Sequence, residues 1–287
     1  MSLVPIVIPF FREHDKLKKC LAAIAEQTYP ACEAFVRDNT HDNVYYTAAV
    51  NEGLAKYCSR PDVHYAMVLN QDAYLHPDCV RRLVDFMESH PDCGIACPLQ
   101  LDESGTTVTW GGSLRAFPTG VHRNDKLANY TEPVETYWGN GACMLLRTET
   151  VREAGRLDRN MRFICSDADF SFTARARGWK VCVVPGARAT HSLGASGSES
   201  NPELELVKTL DIRYFAQKWL DGGLYRELAF EGGGLTRIGA RQEIENLRRY
   251  TELLERRLGR AKAAGPSLFP SWSAATQLPP PRKGGFR

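Results

Sequence analysis

The sequence predicts an α/β protein built on a mostly parallel, doubly wound (Rossmann-like) sheet, with flanking helices and a helical C-terminal extension. Three observations predict it. In the first hundred residues, short apolar runs alternate three times with stretches of helical period, and the connections are short. Runs such as Val4-Pro5-Ile6-Val7-Ile8 and Ala66-Met67-Val68-Leu69 are continuously apolar, as strands buried on both faces are. Two of the runs end abruptly in an acid, at Asp38 and at Asp72. Acids repeated at one edge of such a sheet suggest a nucleotide or metal cleft.

Taken in order, Val4 to Pro9 reads as the first strand. Leu17, Cys20, Leu21 and Ile24 recur at helical spacing as far as Gln27. Ala34-Phe35-Val36 is a second strand, Val44 to Tyr57 a helix, and Val63 to Leu69 a third strand. Pro77 begins a helix that runs to about Ser89, since proline is well placed at a helix start. Gly94 to Cys97 is a fourth strand. From Asp102 to Glu135 the pattern changes. Thr106 to Trp110 alternates as a strand or hairpin, and Arg115 to Tyr130 reads as an irregular surface loop. Trp138-Gly139-Asn140-Gly141-Ala142 leads into a buried strand, Cys143 to Arg147. Two glycines beside a Trp mark either a backbone that approaches something closely or a tight turn with a packed ring.

A short helix from Thr148 stops at Gly155. Asp167 and Asp169 precede a helix over Phe170 to Arg177, where the helix terminus favours a carboxylate, so one of the two is expected to cap it. Lys180 to Val184 is a last strand, and Pro185-Gly186 turns the chain. His191 directly precedes a Ser- and Gly-rich segment of lid type. Pro202 to Leu220 is an amphipathic helix, and Ile238 to Lys262 a second one. The second carries Ile244, Leu247, Leu254 and Leu258 as a seam, against the main domain or in a homodimer. Gly265 to Arg287, rich in Pro, Ser and Gly, is expected to be disordered. The domain reading is 1–200 as a catalytic unit, 201–262 as a helical extension and 263–287 as a tail.

Composition narrows the function classes. The chain has 287 residues, 43% hydrophobic and 24% charged, with a formal charge of +2 that gives no case for nucleic-acid steering. It has no run of about 18 apolar residues, so no membrane span is expected. An apolar strand follows the first residues directly, without the basic region of a signal peptide. Nine scattered cysteines with no C-x-x-C pair read as reduced, mostly buried thiols in a cytoplasmic protein. Cys93 and Cys97 lack the second ligand pair of a zinc site. Asn70 and Asp72, just past a buried strand, suit a hard divalent cation carrying phosphate oxygens; a helix cap or turn is the competing reading.

Several stretches together resemble the family 2 glycosyltransferases, which have the GT-A fold. They are Val4-Pro5-Ile6-Val7-Ile8-Pro9-Phe10 with Gln27-Thr28-Tyr29-Pro30; Arg37-Asp38-Asn39-Thr40; Asn51-Glu52-Gly53; Leu69-Asn70-Gln71-Asp72; Gly141-Ala142-Cys143-Met144-Leu145; Gly155-Arg156-Leu157-Asp158; Ser166-Asp167-Ala168-Asp169; and Pro185 with His191. The nearest likeness is the rhamnosyltransferase-like branch that builds bacterial surface polysaccharides. The resemblance implies that Pro9, Asp38, Asn51 and Asn70 line the nucleotide pocket, with Asp38 accepting from the base. It implies that Asp72, in a D-x-D-like element whose first position is Asn70, ligates Mn2+ or Mg2+ together with His191. Trp138, Gly139 and Gly141 would approach donor sugar and acceptor. The catalytic base is Asp167 or Asp169; Ser166 stands where the family has Glu, which leaves that choice open.

The implied reaction is metal-dependent, inverting transfer from a UDP, dTDP or GDP sugar to a glycan or lipid-linked glycan, at the inner face of a membrane in peripheral contact. Two alternatives compete. A catalytically inactive relative would bind carbohydrate or serve as an assembly subunit. A sugar nucleotidyltransferase would need a glycine-rich loop after the first strand, and Phe10-Phe11-Arg12-Glu13-His14-Asp15 has no glycine.

Overall fold

The computed structural model describes residues 1–105, 107–113, 121–191, 201–221 and 237–258. The N-terminal elements are β1 (Val4–Phe10), α1 (His14–Ala25), β2 (Cys32–Asp38), α2 (Tyr45–Tyr57), β3 (Tyr65–Leu69), β4 (Ala73–Leu75), α3 (Cys79–Ser89) and β5 (Cys93–Leu101). Then come β6 (Thr107–Ser113), β7 (Val121–Lys126), a 3₁₀ turn at Leu127–Asn129, β8 (Val134–Glu135) and β9 (Cys143–Arg147). The rest is α4 (Thr148–Ala154), α5 (Ser166–Arg175), β10 (Lys180–His191), α6 (Pro202–Asp221) and α7 (Arg237–Arg257).

The apolar runs become the centre of one sheet, ordered β2-β1-β3-β9-β5-β10-β4. β3 and β5 are buried at every position, as their continuous apolar character requires. β1 pairs in parallel with β2 and β3, and β5 with β10. β9 lies between β3 and β5, antiparallel to both, so β2, β1, β3, β5 and β10 all run one way. Alternate residues of each strand feed two cores. Met67 and Leu69 pack with Ile6, Ile8 and side chains of α1 and α3. Ala66 and Val68 pack on the other face with Val50, Leu54, Met144, Val151 and Phe170 from α2, β9, α4 and α5. Helices on both faces of a largely parallel sheet are the doubly wound arrangement expected.

Local departures have physical reasons. Pro185-Gly186 does not turn the chain. Pro185 has no N–H to give the ladder, and β10 absorbs the interruption as a register shift between Val184 and Arg188, then resumes pairing. That continuation brings His191 opposite Ala73 of β4. The helix expected at Phe170 begins at Ser166, so Asp167 and Asp169 lie within its first turn rather than ahead of it. The helix placed at Pro77 begins at Cys79. The stretch read as an irregular loop contains β7, which pairs with β6 as the hairpin reading required.

In the C-terminal part, α6 places Phe215 and Trp219 against Phe172 of α5, with ring centroids 5.7 and 5.1 Å away. α7 packs on α6 and buries Thr251 and Leu254. The expected seam residues Ile244 and Leu247, the Ser/Gly-rich segment after His191 and the tail 263–287 lie outside the described side chains and residues. Among the described residues no helix is long and apolar enough to cross a membrane. All nine cysteines are free thiols.

Candidate active site

Strands that run the same way end at the same edge of a sheet, and the cleft opens there. Pro9 and Phe11 come from the end of β1, Asn39 from the end of β2, Asn70 to Asp72 from the end of β3, and Trp138 with Asn140 to Ala142 from the loop entering β9. Residues 163–165 and the first turn of α5 form the opposite wall. The cavity has a volume of about 920 Å³, near the upper end of the range for small-molecule sites.

The Asn70-Gln71-Asp72 element divides its labour. Gln71 is a clamp: Phe11 N–H donates to its Oε1 (2.7 Å), and its Nε2 donates to Phe11 O (3.1 Å) and to Glu13 Oε2 (3.1 Å). The clamp ties the exit of β1 to the exit of β3. Asn70 N–H donates to Ala142 O at 2.8 Å and fixes the same turn to the β9 loop. Asp72 is 2% exposed, and its Oδ1 has no hydrogen-bond partner. His191 Nε2 lies 3.5 Å from that oxygen, and His191 Nδ1 also lacks a partner. Leaving a buried carboxylate oxygen unmatched costs free energy unless a ligand completes it. A carboxylate beside an imidazole suits Mn2+ or Mg2+ with phosphate and water oxygens filling the remaining positions. Among the described residues no third His, Cys, Asp or Glu joins them.

Asp167 is the open carboxylate of the cleft. Its Oδ2 accepts from Gly141 N–H (2.8 Å) and its Oδ1 from Ala168 N–H (2.8 Å). Each oxygen retains a further lone pair for an incoming hydroxyl. Gly141 is required here by close approach: a Cβ would lie 2.5 Å from Tyr46 Oη and 3.0 Å from Asp167 Cβ. Tyr46 donates its hydroxyl to Gly141 O at 2.8 Å. Burial, reinforced by the Asp167 charge, lifts its phenol well above the ordinary value, so it stays a neutral donor.

Asp169 faces away from the cleft. It is 2% exposed, with Lys218 Nζ 2.7 Å from Oδ1 and 2.9 Å from Oδ2, and it accepts from Trp219 Nε1 at 2.9 Å. Lys218 also pairs with Asp158 at 2.9 Å. Burial would depress the Lys218 ammonium, but Asp169 and Asp158 outweigh it and hold it above the ordinary lysine range. Burial pushes the Asp169 carboxyl up, against the pull of Lys218. Asp169 is thus engaged by a buried cation and does not line the cleft.

A family model described as "Glycosyl transferase family group 2" matches residues 65–249. The chain belongs to this family. Among solved structures, this group 2 glycosyltransferase is similar to a crystal structure of GalNAc-T7 with UDP, GalNAc and Mn2+. The TM-score is 0.58 at 13% identity, over 88% of this chain and 55% of that one. The chain therefore spans about half the length of that neighbour, and the likeness is one of fold, a GT-A type architecture. No curated protein matches the chain.

Three of the expected nucleotide and sugar contacts sit elsewhere in the glycosyltransferase. Asn51 is 2% exposed and does not line the cleft. Its Nδ2 donates to Leu157 O (2.8 Å) and its Oδ1 accepts from Leu157 N–H (3.0 Å), so both ends of the amide are committed to holding α2 against the 157 loop. Asp38 is exposed at the end of β2 with its Oδ1 accepting from Thr40 N–H at 2.7 Å; its neighbour Asn39, not Asp38, lines the cleft. Gly139 does make a close approach, but to the core: a Cβ there would meet Cys97 Sγ at 2.5 Å. Pro9, Asn70, Asp72, Trp138, Gly141 and Asp167 do come together on the cleft, with His191 behind Asp72. Ser166 accepts from Thr47 Oγ1 at 2.8 Å and joins α5 to α2.

Sequence reasoning missed Tyr46, Asn140, and the three non-glycine residues with positive φ among the described residues. Asn140 holds the β9 loop by donating to Gln100 Oε1 (3.1 Å) and accepting from Ala142 N–H (2.9 Å). Arg12 (φ 60°), Tyr45 (φ 63°) and Cys165 (φ 67°) all line the cleft. Left-handed backbone concentrated at one cavity is a mark of a functional site. Nothing in the residue types signals it, because Arg, Tyr and Cys are not the residues that favour that conformation.

Proposed function

We propose that this chain transfers a glycosyl group from a nucleotide-diphosphate sugar to a hydroxyl acceptor by a single inverting displacement. The observation that carries the proposal is the pairing, in one cleft, of a buried carboxylate oxygen with no hydrogen-bond partner at Asp72 and an open, backbone-oriented carboxylate at Asp167. Asp72 and His191 would hold a divalent cation, which neutralises charge on the departing diphosphate. Charge supports this reading. The described cleft side chains include Glu13, Asp72, Asp167 and Glu203 against Arg12, so an anionic donor needs a cation to enter. The crystallisation of GalNAc-T7 with UDP and Mn2+ agrees.

Asp167 takes the acceptor hydroxyl proton as that oxygen bonds to the anomeric carbon and the carbon–phosphate oxygen bond breaks, its electrons leaving on the diphosphate. Trp138 and Gly141 border the space for sugar and acceptor. UDP, dTDP and GDP sugars are the donor classes proposed, and a surface glycan or its lipid-linked precursor the acceptor. The rhamnosyltransferase-like assignment rests on the sequence motifs.

The test is a melting-temperature panel with UDP, dTDP, GDP and CMP, each with EDTA, Mn2+ or Mg2+. A ligand bound only by the native state raises its stability. The expected result is a metal-dependent rise with one nucleoside diphosphate, lost in Asp72→Ala. An equal rise in EDTA would remove the metal from the reading, and no rise with any nucleotide would remove the donor.

A further inference from the structure

α6 grips the segment that carries Asp167 from outside the cleft. Asp211, 1% exposed on α6, accepts from three consecutive backbone N–H groups: Arg162 (2.9 Å, on Oδ1), Phe163 (2.7 Å, on Oδ2) and Ile164 (3.0 Å, on Oδ2). Three successive amides converging on one anion form a nest. Phe163, Ile164 and Cys165 are cleft wall, and Cys165, at φ 67°, is the turn from which α5 and Asp167 start. Thr47 N–H donates to Arg162 O at 3.0 Å and pins the other side of the same peptide to α2. The wall has no regular secondary structure of its own at 162–165. Its shape is set from α2 and from the Asp211 carboxylate.

We infer that Asp211 is a positioning residue for glycosyl transfer: it acts through the 162–164 amides to hold the cleft wall and the left-handed turn that aims Asp167 at the acceptor. This rests on the reading of Asp167 as the base. Burial pushes the Asp211 carboxyl up to about 6, against the pull of its three amide donors, so the fold keeps a carboxylate here at a cost. An amide of the same shape cannot replace it. In Asp211→Asn the side-chain NH2 must face either Arg162 N–H or both Phe163 N–H and Ile164 N–H, a donor against a donor. A shift of about 1 Å in a catalytic group costs on the order of a hundredfold in rate.

The experiment uses the full chain with the nucleotide and metal identified by the melting panel, and separates binding from turnover. In Asp211→Asn, kcat for transfer is expected to fall at least ~10-fold, while the Kd for nucleotide with metal changes by less than about 3-fold. An unchanged kcat overturns the inference. So does a kcat loss accompanied by an equal loss of nucleotide affinity and a lowered melting temperature, which is the pattern of a merely structural residue. If Asp211→Asn does not fold, Asp211→Glu decides. It keeps the charge but moves it by about one bond, roughly 1.5 Å. The same split of kcat from Kd is expected, and an unchanged kcat again overturns the inference. Failure of the functional reading is distinct, because the wild-type protein would then neither bind nucleotide nor transfer.

Discussion

Asp167 and Asp169 are the same residue type two positions apart in the first turn of α5, and about 200° apart around its axis. On the front, Asp167 is partly exposed, oriented by Gly141 and Ala168 amides, with room for a hydroxyl. On the back, Asp169 is sealed against Lys218 and Trp219. The difference teaches that one helix turn can separate chemistry from structure with a single residue type. The i, i+2 spacing is what forces the two carboxylates into different solvents. It also explains why α6 belongs to the site without lining most of it: Lys218, Trp219 and Asp211 hold α5 and its entry loop from behind.

The sharpest break of this comparison is a pair of isosteric substitutions. Asp167→Asn is expected to lower transfer about 10³-fold, roughly 4 kcal/mol of transition-state stabilisation. Its melting temperature should fall only slightly: the amide oxygen can still accept from Gly141 N–H, and the amide nitrogen that then faces Ala168 N–H lies on a partly exposed side chain that water can reach. Steady-state kinetics beside calorimetry check this, and full transfer by the variant would remove Asp167 as the base. Asp169→Asn should do the reverse. Removing one partner of a buried ion pair costs about 3 kcal/mol of stability, while the protein that remains folded keeps most of its turnover. Denaturant titration measures the first and active-site-normalised kinetics the second.

A third test uses proton linkage. The folded-state carboxyl of Asp211 is raised from 3.8 to about 6, so its contribution to stability is fully present below about pH 3.8 and is lost as pH rises toward 6. The shift corresponds to something on the order of 3 kcal/mol. Asp158 is opposite: burial would raise it, but Lys218 and the Asn160 contacts outweigh that and leave it lowered. Its contribution is present above the unfolded value and is lost as pH falls below it. Stability measured by denaturant from pH 3 to 7 should therefore fall between pH 4 and 6, and Asp211→Asn should flatten that limb. A limb unchanged in the variant would assign it to another group. The smallest effect expected is that of Asn51→Ala. It should cost about 2 kcal/mol through the two bonds to Leu157 and leave nucleotide affinity unchanged in isothermal titration. A large loss of affinity would return Asn51 to the pocket.

Much of the sheet was legible in the sequence because its strands carry continuous apolar runs, and β1, β3, β5 and β9, with the half-buried β2, were all recognised that way. The alternation with helices also gave the parallel direction of β1, β2, β3 and β5, but not that of β9. An apolar pentamer such as Cys143–Arg147 reads the same whether it pairs parallel or antiparallel, so the reversal of β9 leaves no mark in the sequence. Pro185-Gly186 read as a turn because local chemistry favours one; pairing with β5 on both sides of it prevailed. At the site, Asp72, Asp167 and Gly141 were legible as acids and a glycine at element ends. That Asp167 faces the cleft and Asp169 the core was not, because it depends on Lys218 and Trp219, about fifty positions away. Asn51 was misjudged for a similar reason: its partner Leu157 is distant in the chain, and a buried amide holding a loop leaves no local trace.

β9 sits between β3 and β5 yet is made more than forty residues after β5 ends. During synthesis the first three strands and their helices can assemble as each emerges, but β3 and β5 have no strand between them until Cys143–Arg147 leaves the ribosome. A chain paused between Leu101 and Cys143 carries unpaired apolar edges on both β3 and β5, the kind of surface that pairs with other chains. Closure of this sheet is a late, non-local event, and the cleft is completed later still, when α5 brings Asp167 to Gly141 and β10 brings His191 to Asp72.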